Sequence, residues 1–211
     1  MGMTKYKYIT ACVLVLILGL LIGYKSVDPA LSFLQARGGS GGDVAVQNGP
    51  WKTFKGLGTP DLNPVVKAIV AQIGLGALTA EEAIYWIAEK DENSARLNGK
   101  SRYTLKFNGE QLHQDGGFWS LSVYGPDHYF VPNSAGVNSL GLRDDLLINP
   151  DGSFEITVSS SNPGNETNWL PAPESGPFSL TLRYYVPITT MISRPGDTSL
   201  PTISTTQNVE G

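Results

Sequence analysis

The chain has 211 residues and carries 15 lysines and arginines against 19 aspartates and glutamates, a formal net charge of −4 at pH 7. This acidic balance argues against binding to nucleic acid or to an anionic membrane surface, because both need basic patches. One cysteine, Cys12, and two histidines, His113 and His128, are too few for a disulfide framework or a zinc site of cysteines or three histidines. No cofactor is predicted.

The first predicted element is an apolar segment at residues 8–24, which contains no charge and has Lys5 and Lys7 before it and Lys25 after it. As a helix it would be about 25 Å long, near the short end of what crosses a bilayer. The positive-inside rule then places the N-terminus in the cytoplasm and the rest of the chain outside. A cleaved signal peptide is the alternative, although no small-x-small cleavage site follows Gly23. We predict an uncleaved single-pass anchor within residues 1–26.

Residues 27–48 are predicted to be a juxtamembrane segment and a flexible glycine-rich linker. The remaining 49–211 would form one exported domain that begins with a helical hairpin at 62–91. Asn63-Pro64 is typical of a helix start, and Thr79-Ala-Glu-Glu82 has the pattern of a capping box that opens a second helix. We expect this hairpin to pack on a sheet.

From residue 102 the apolar period changes from helical to two, which predicts strands with one buried face. The turn sequence Asn149-Pro-Asp-Gly152 predicts a hairpin that joins a strand at 146–148 to a strand beginning at Phe154. Short strands separated by turns are typical of an antiparallel β-sandwich of jelly-roll type, here at 102–187. The tail at 188–211 is predicted to lie extended on the surface.

The residues that could carry catalysis do not form a convincing set. His113 falls in a polar stretch predicted to be a solvated loop, and His128 falls in a predicted turn. Asp144 and Asp145 are adjacent, so on a strand they would point to opposite faces. The oxygens of residues 149, 151 and 153 are better explained by a turn than by a calcium loop. No catalytic residue and no metal ligand are predicted.

Polar side chains that fall among aromatic residues are the better candidates for a site. An arginine between aromatic neighbours can bind a carboxylate or a sugar through its planar fork, or it can stack on a ring and stabilise the fold. The candidates that could converge in a sandwich are Trp119, Tyr124, Tyr129, Asn133, Arg143, Asn168, Trp169, Arg183 and Tyr185. Of these, Asn133, Arg143, Trp169 and Arg183 are the predicted ligand-binding residues.

Several motifs together resemble the family known as domain of unknown function 1214. They are Phe118-Trp-Ser-Leu-Ser-Val-Tyr124, Val131-Pro-Asn133, Asn149-Pro-Asp-Gly-Ser-Phe154, Asn168-Trp-Leu-Pro-Ala-Pro173 and Phe178-Ser-Leu-Thr-Leu-Arg-Tyr-Tyr-Val-Pro187. The chain is similar to the short, membrane-anchored bacterial type. The resemblance implies a jelly-roll sandwich and an envelope setting in Gram-negative bacteria, with the anchor in the inner membrane and the domain in the periplasm. It implies no catalytic residue.

These observations favour a membrane-tethered periplasmic module without enzymatic activity, which binds an envelope protein or a glycan. One alternative is an enzyme that acts on carbohydrate or lipid with Asp127, His128 or Arg143. Another is an accessory subunit of a larger membrane complex. The sequence does not predict an oligomeric state.

Overall fold

The structure is a computed structural model that describes residues 8, 10, 12–23, 25, 45–60, 67, 70, 77–164 and 166–206. The chain divides into two compact units, residues 1–42 and residues 43–211. Residues 27–44 of the predicted linker segment lie outside the described residues. The first predicted helix of the hairpin also lies outside them, apart from Lys67 and Val70, which are helical.

The first unit contains a helical segment whose side chains are exposed, including Leu14, Val15 and Leu20. Among the described residues no helix combines the length and the apolar character that crossing a membrane requires. The predicted transmembrane helix is therefore wrong for the described structure, and the inner-membrane and periplasmic location stays a prediction.

The second unit is mainly β-structure, built from two sheets. Its strands are β1 (Ala45–Asn48), β2 (Trp51–Phe54), β3 (Ala83–Ala88), β4 (Arg102–Phe107), β5 (His113–Tyr124), β6 (Ser139–Gly141), β7 (Phe154–Ser159), β8 (Asn168–Pro171), β9 (Ser179–Pro187) and β10 (Thr202–Thr206). One sheet has the order β1-β2-β3-β9-β5-β6, and the other has the order β10-β4-β7-β8. All named pairs are antiparallel except β7 with β8, which is parallel.

The core lies between the two sheets and consists of two facing rows of paired side chains. In the six-stranded sheet, Trp86, Leu182 and Leu121 lie opposite one another on β3, β9 and β5, and all three are fully buried. In the four-stranded sheet, Ile203, Leu105 and Ile156 form the matching row, which ends at Asn168 on β8. The predicted alternation of buried and exposed residues is confirmed at 102–107. In the strands at 118–124, 154–159 and 178–185 the predicted apolar positions are buried, but Ser122, Thr157, Ser159 and Thr181 between them are buried as well.

The predicted helical hairpin is wrong, because its second half is the central strand β3. This strand lies between β2 and β9 in the six-stranded sheet. The all-antiparallel jelly roll is also wrong, since the sheets hold six and four strands and include a parallel pair. The sandwich therefore also contains β1, β2 and β3, which precede the range 102–187 predicted for it.

The C-terminal segment is more structured than the extended tail predicted for 188–211. It contains a short helix (Thr189–Ser193), a 3-10 turn (Pro195–Asp197) and β10, which pairs with β4 along its whole length. The Asp91 side chain, 4% exposed, accepts the Thr205 hydroxyl at 2.6 Å and the amides of Asn93 and Ala95 at 3.0 and 2.9 Å. These hydrogen bonds connect the C-terminal strand β10 to the turn that follows β3.

Candidate functional site

The outer face of the six-stranded sheet carries aromatic rings, hydroxyls and two arginines. Side chains alternate across a strand, so the residues between the core positions of β3, β5 and β9 all project to this face. Its members are Tyr85, Phe118, Ser120, Ser122, Tyr124, Thr181, Arg183 and Tyr185, with Arg143 from the loop after β6. We call this set the arginine face. It contains two of the four predicted ligand-binding residues, Arg143 and Arg183.

Arg183 lies at the centre of this face on β9, between Tyr85 of β3 and Ser120 of β5. Its guanidinium donates to the Ser122 hydroxyl at 3.2 Å and to the Tyr124 hydroxyl at 2.8 Å. The Tyr124 and Tyr85 ring centroids lie 5.4 and 5.9 Å from its Cζ atom. Two of the five N–H groups of the guanidinium are used in these bonds, and the side chain is half-buried. The guanidinium is thus held in one orientation and keeps N–H donors that are not used in these bonds.

Arg143 approaches the same face from the loop that follows β6. Its Cζ atom lies 4.0 Å from the Phe118 ring centroid, and Phe118 is stacked on Tyr185 at 4.3 Å. Phe118 is opposite Tyr185 in the sheet, and Ser120 is opposite Arg183. The Arg183 guanidinium contacts Ser122 and Tyr124, four and six residues beyond Phe118 on β5. The two arginines therefore occupy different parts of the face, with contact positions roughly 13–20 Å apart along the strand.

Neither arginine of this face is neutralised within the part of the chain that the structure describes. The ion pairs there join Lys106 to Glu155 at 3.2 Å and Arg194 to Asp197 at 3.8 Å, both on exposed side chains. Arg143 and Arg183 rest on ring faces instead, which attract a cation without cancelling its charge. The face consequently offers two positive charges to an anion, and that of Arg183 is held in place by hydrogen bonds.

The other two predicted ligand-binding residues do not join the arginine face. The Asn133 amide donates to the carbonyls of Val131 and Val137 at 3.2 and 2.9 Å and accepts the Val137 amide, so it closes its own loop. Trp169 lies on β8 of the other sheet, and its indole N–H donates to the Ser159 carbonyl at 3.0 Å. Asn133 therefore acts in the fold, and Trp169 belongs to a different surface.

The residues of the enzymatic alternative are not brought together. His128 lies in an exposed turn, as predicted, and has a positive φ of 65°. The Asp127 carboxylate accepts the Tyr129 amide at 3.2 Å. In the described structure no hydrogen bond joins Asp127, His128 and Arg143. The solvated loop predicted for His113 is wrong, because His113 is the first residue of β5 and is 9% exposed.

The turn at 149–152 is confirmed, and its oxygens are used within it. The Asp151 carboxylate accepts the amide and the hydroxyl of Ser153 at 2.9 and 2.7 Å, and these bonds lower the pKa of Asp151. The Asn149 amide donates to the same hydroxyl at 3.0 Å. Across the described ranges, no three His, Cys, Asp or Glu side chains gather as a metal site.

Tyr184 lies on the core side of β9, and burial, followed by the charge of Glu110, raises its pKa well above the usual range. The unfolded chain ionises tyrosine near pH 10, so stability is independent of this group below that pH and falls as pH rises above it. We expect Tyr184→Phe to leave the tyrosinate absorbance that develops near pH 10 unchanged and to reduce alkaline destabilisation. A loss of the absorbance near pH 10 in Tyr184→Phe would contradict the burial of Tyr184.

Sequence reasoning missed Tyr85, Phe118 and Ser122 as members of this face. Tyr85 was placed in a helix, and the other two were treated as ordinary solvent-side strand positions. The alternation along 118–124 and 179–185 does contain the signal, since it places these side chains on one face of each strand. It does not reveal that β5 and β9 are neighbours.

Two solved structures are similar to this one. The crystal structure of the VPA0106 protein from Vibrio parahaemolyticus has a TM-score of 0.59 and 25% sequence identity, with 88% of this chain and 44% of that chain covered. A putative uncharacterised protein from Burkholderia cenocepacia has a TM-score of 0.44 and 12% identity, with 67% and 33% covered. The chain therefore spans less than half the length of either structure. No curated protein matches the sequence.

The family comparison covers all three strands of the arginine face, β3, β5 and β9, and the loops between them. Residues 82–189, just over half of the chain, match the family model described as a protein of unknown function, DUF1214. The match begins one residue before β3 and ends two residues after β9, so it includes both arginines. This confirms the resemblance found in the sequence motifs, while the membrane-anchored type stays a prediction. The chain belongs to the DUF1214 family.

Proposed function

We propose that this protein is a binding module, not an enzyme, and that its arginine face binds an acidic glycan from the cell envelope. The observation that carries the proposal is the pair of ring-supported guanidiniums, Arg143 and Arg183, which have no carboxylate partner among the described residues. A guanidinium binds a carboxylate through two parallel hydrogen bonds, and such charge-assisted bonds are about twice as strong as neutral ones. The ligand feature expected here is a sugar carboxylate.

The groups around the arginines favour a sugar over an acidic protein segment. Tyr85 and Tyr185 carry rings on this face, and Ser120 carries a hydroxyl opposite Arg183. The Tyr124 ring is already stacked on Phe130 at 4.8 Å, and Ser122 is 3% exposed. Rings pack against the apolar faces of a pyranose, while hydroxyls and guanidiniums bond its polar edge. A protein partner of ordinary size would instead require a broad apolar centre. Along β5 the face carries Phe118 and Tyr124 with two serines between them, so its aromatic positions are separated by polar ones.

The test is isothermal titration of the full chain with trigalacturonate, with maltotriose as a neutral trisaccharide of equal length. We expect binding of trigalacturonate alone, and at least a ten-fold loss of affinity, about 1.4 kcal/mol, in Arg183→Gln. The matched control is Arg194→Gln, which removes the same charge from an exposed side chain outside the arginine face.

Equal binding of both trisaccharides would refute recognition of the carboxylate. Equal losses in Arg183→Gln and Arg194→Gln would refute the placement of the site, since only the total charge would then matter. The Arg183→Lys variant separates charge from geometry. It keeps the charge but lacks the fork, so its affinity should also fall.

A further inference from the structure

A groove opens at the side of the sandwich where the two sheets end in their edge strands β6 and β8. The loop at 142–148 forms one wall, and Asn162, Gly164 and Thr167 form the other. Its volume is about 340 Å³, and its lining includes Asp145, Leu146, Leu147, Asn162, Thr167 and Trp169. This volume falls within the range of small-molecule sites, roughly 300–1,000 Å³.

The groove is fixed in shape by side chains that hold its walls. The Asn168 amide accepts the Leu147 N–H at 2.7 Å and donates to the Leu147 and Glu155 carbonyls at 2.9 and 2.8 Å. At the other end of the loop, the Asp144 carboxylate accepts the Gly141 amide at 2.7 Å. The 142–148 loop is therefore anchored at both ends, so a ligand would meet a preformed surface.

The Trp169 ring is oriented within this groove. Its indole N–H donates to the Ser159 carbonyl at 3.0 Å, which fixes the plane of the ring. The side chain is half-buried, whereas the other tryptophans, Trp51, Trp86 and Trp119, are 1%, 0% and 6% exposed. Trp169 thus gives the groove a rigid aromatic platform.

Polar groups with unused hydrogen-bonding capacity surround the ring. Within the described residues, the Asp145 carboxylate has no hydrogen bond and no ion pair. The side-chain oxygen of Asn162 accepts the Gly164 amide at 2.8 Å, which leaves the side-chain NH₂ group for a ligand. The Thr167 hydroxyl donates to the Gly164 carbonyl at 2.8 Å and can still accept. The groove therefore combines an aromatic platform with one acceptor-only carboxylate, one amide donor and one hydroxyl acceptor.

We propose that this groove binds a neutral pyranose sugar. The apolar face of the pyranose would lie on Trp169, and its hydroxyls would donate to Asp145 and accept from Asn162. The Asp145 charge disfavours acidic sugars here, in contrast to the arginine face. The site lies at the edge of the sandwich and does not depend on the function proposed for the arginine face.

The experiment uses acrylamide quenching of tryptophan fluorescence in the full chain, because Trp169 is half-buried while the other three tryptophans are at most 6% exposed. Glucose, galactose and N-acetylglucosamine are titrated separately, with glycerol at equal concentration as a nonspecific polyol. We expect at least one of the sugars to protect Trp169 from quenching in a saturable manner, with half-saturation in the millimolar range that suits a single sugar. Asp145→Asn should weaken this affinity at least ten-fold.

Asp197→Asn is the matched control, because it removes the same charge from an exposed side chain outside the groove. It should bind as the unchanged chain does. Protection no greater than that by glycerol for all three sugars would overturn the proposal, as would equal affinities in Asp145→Asn and the unchanged chain. Since Asp145 has no structural partner among the described residues, its substitution is not expected to unfold the domain.

Discussion

Replacing Trp119 by alanine is expected to lower the free energy of unfolding by about 3–5 kcal/mol, a large part of the stability of a single domain. Trp119 is 6% exposed on β5, and its ring stacks on Phe107 at 5.1 Å and on Phe154 at 5.5 Å. Both partners belong to the other sheet. The substitution would remove two aromatic contacts between the sheets and leave a cavity that rigid strands fill poorly.

Urea denaturation followed by circular dichroism measures this loss, and Trp169→Ala is the matched control. The same atoms are removed there from a half-buried ring at the edge of the sandwich, so the expected loss is smaller, about 1–2 kcal/mol. Equal losses in the two variants would contradict the packing of β5 against β4 and β7. The slope of the unfolding free energy against urea concentration should be the same in both variants, because both unfold from the same fold.

The error at β3 shows where reasoning from the sequence fails. The motif at 79–82 does form its turn, with the Glu82 and Ala83 amides bonded to the Thr79 carbonyl at 3.0 and 2.9 Å. The chain then continues as a strand. A helix would place Ile84 and Ala88 on one side and Trp86 on the other, whereas a strand places all three on one face. The burial of Trp86 decides between them, and that depends on β9, almost a hundred residues later.

The arginine face was predictable in its residue types but not in its assembly. The sequence correctly predicts that Arg183 lies between the buried Leu182 and Tyr184, but it misses Tyr85, one of the two rings beside the guanidinium. The partners of Arg183 come from β3 and β5, which are separated from it by about 60 to 100 residues. A period of two fixes which face a side chain occupies, and it carries no information on which strands pair. Asn133 and Trp169 were grouped with the arginines for that reason.

The hairpin predicted before Phe154 has its turn but lacks its first strand, and the missing strand explains the groove. Its turn is present, with the Gly152 amide bonded to the Asn149 carbonyl at 2.9 Å. Residues 146–148 do not form a strand. The Leu147 N–H and carbonyl, which would have paired with a strand, are satisfied by the Asn168 side chain. One buried amide thus replaces a short piece of sheet and leaves space beside β8.

Asn168→Ala is accordingly expected to lower the free energy of unfolding by about 3 kcal/mol, roughly 1 kcal/mol for each of three lost hydrogen bonds. Asn168 is 8% exposed, so water cannot readily take its place beside Leu147 and Glu155. The control is Asn162→Ala, at an exposed side chain with one bond, where a loss below about 1 kcal/mol is expected. Urea denaturation gives both values. A loss at Asn168 no larger than at Asn162 would show that the 142–148 loop is held by other contacts, and the groove would then lack the rigid wall on which its binding of a sugar depends.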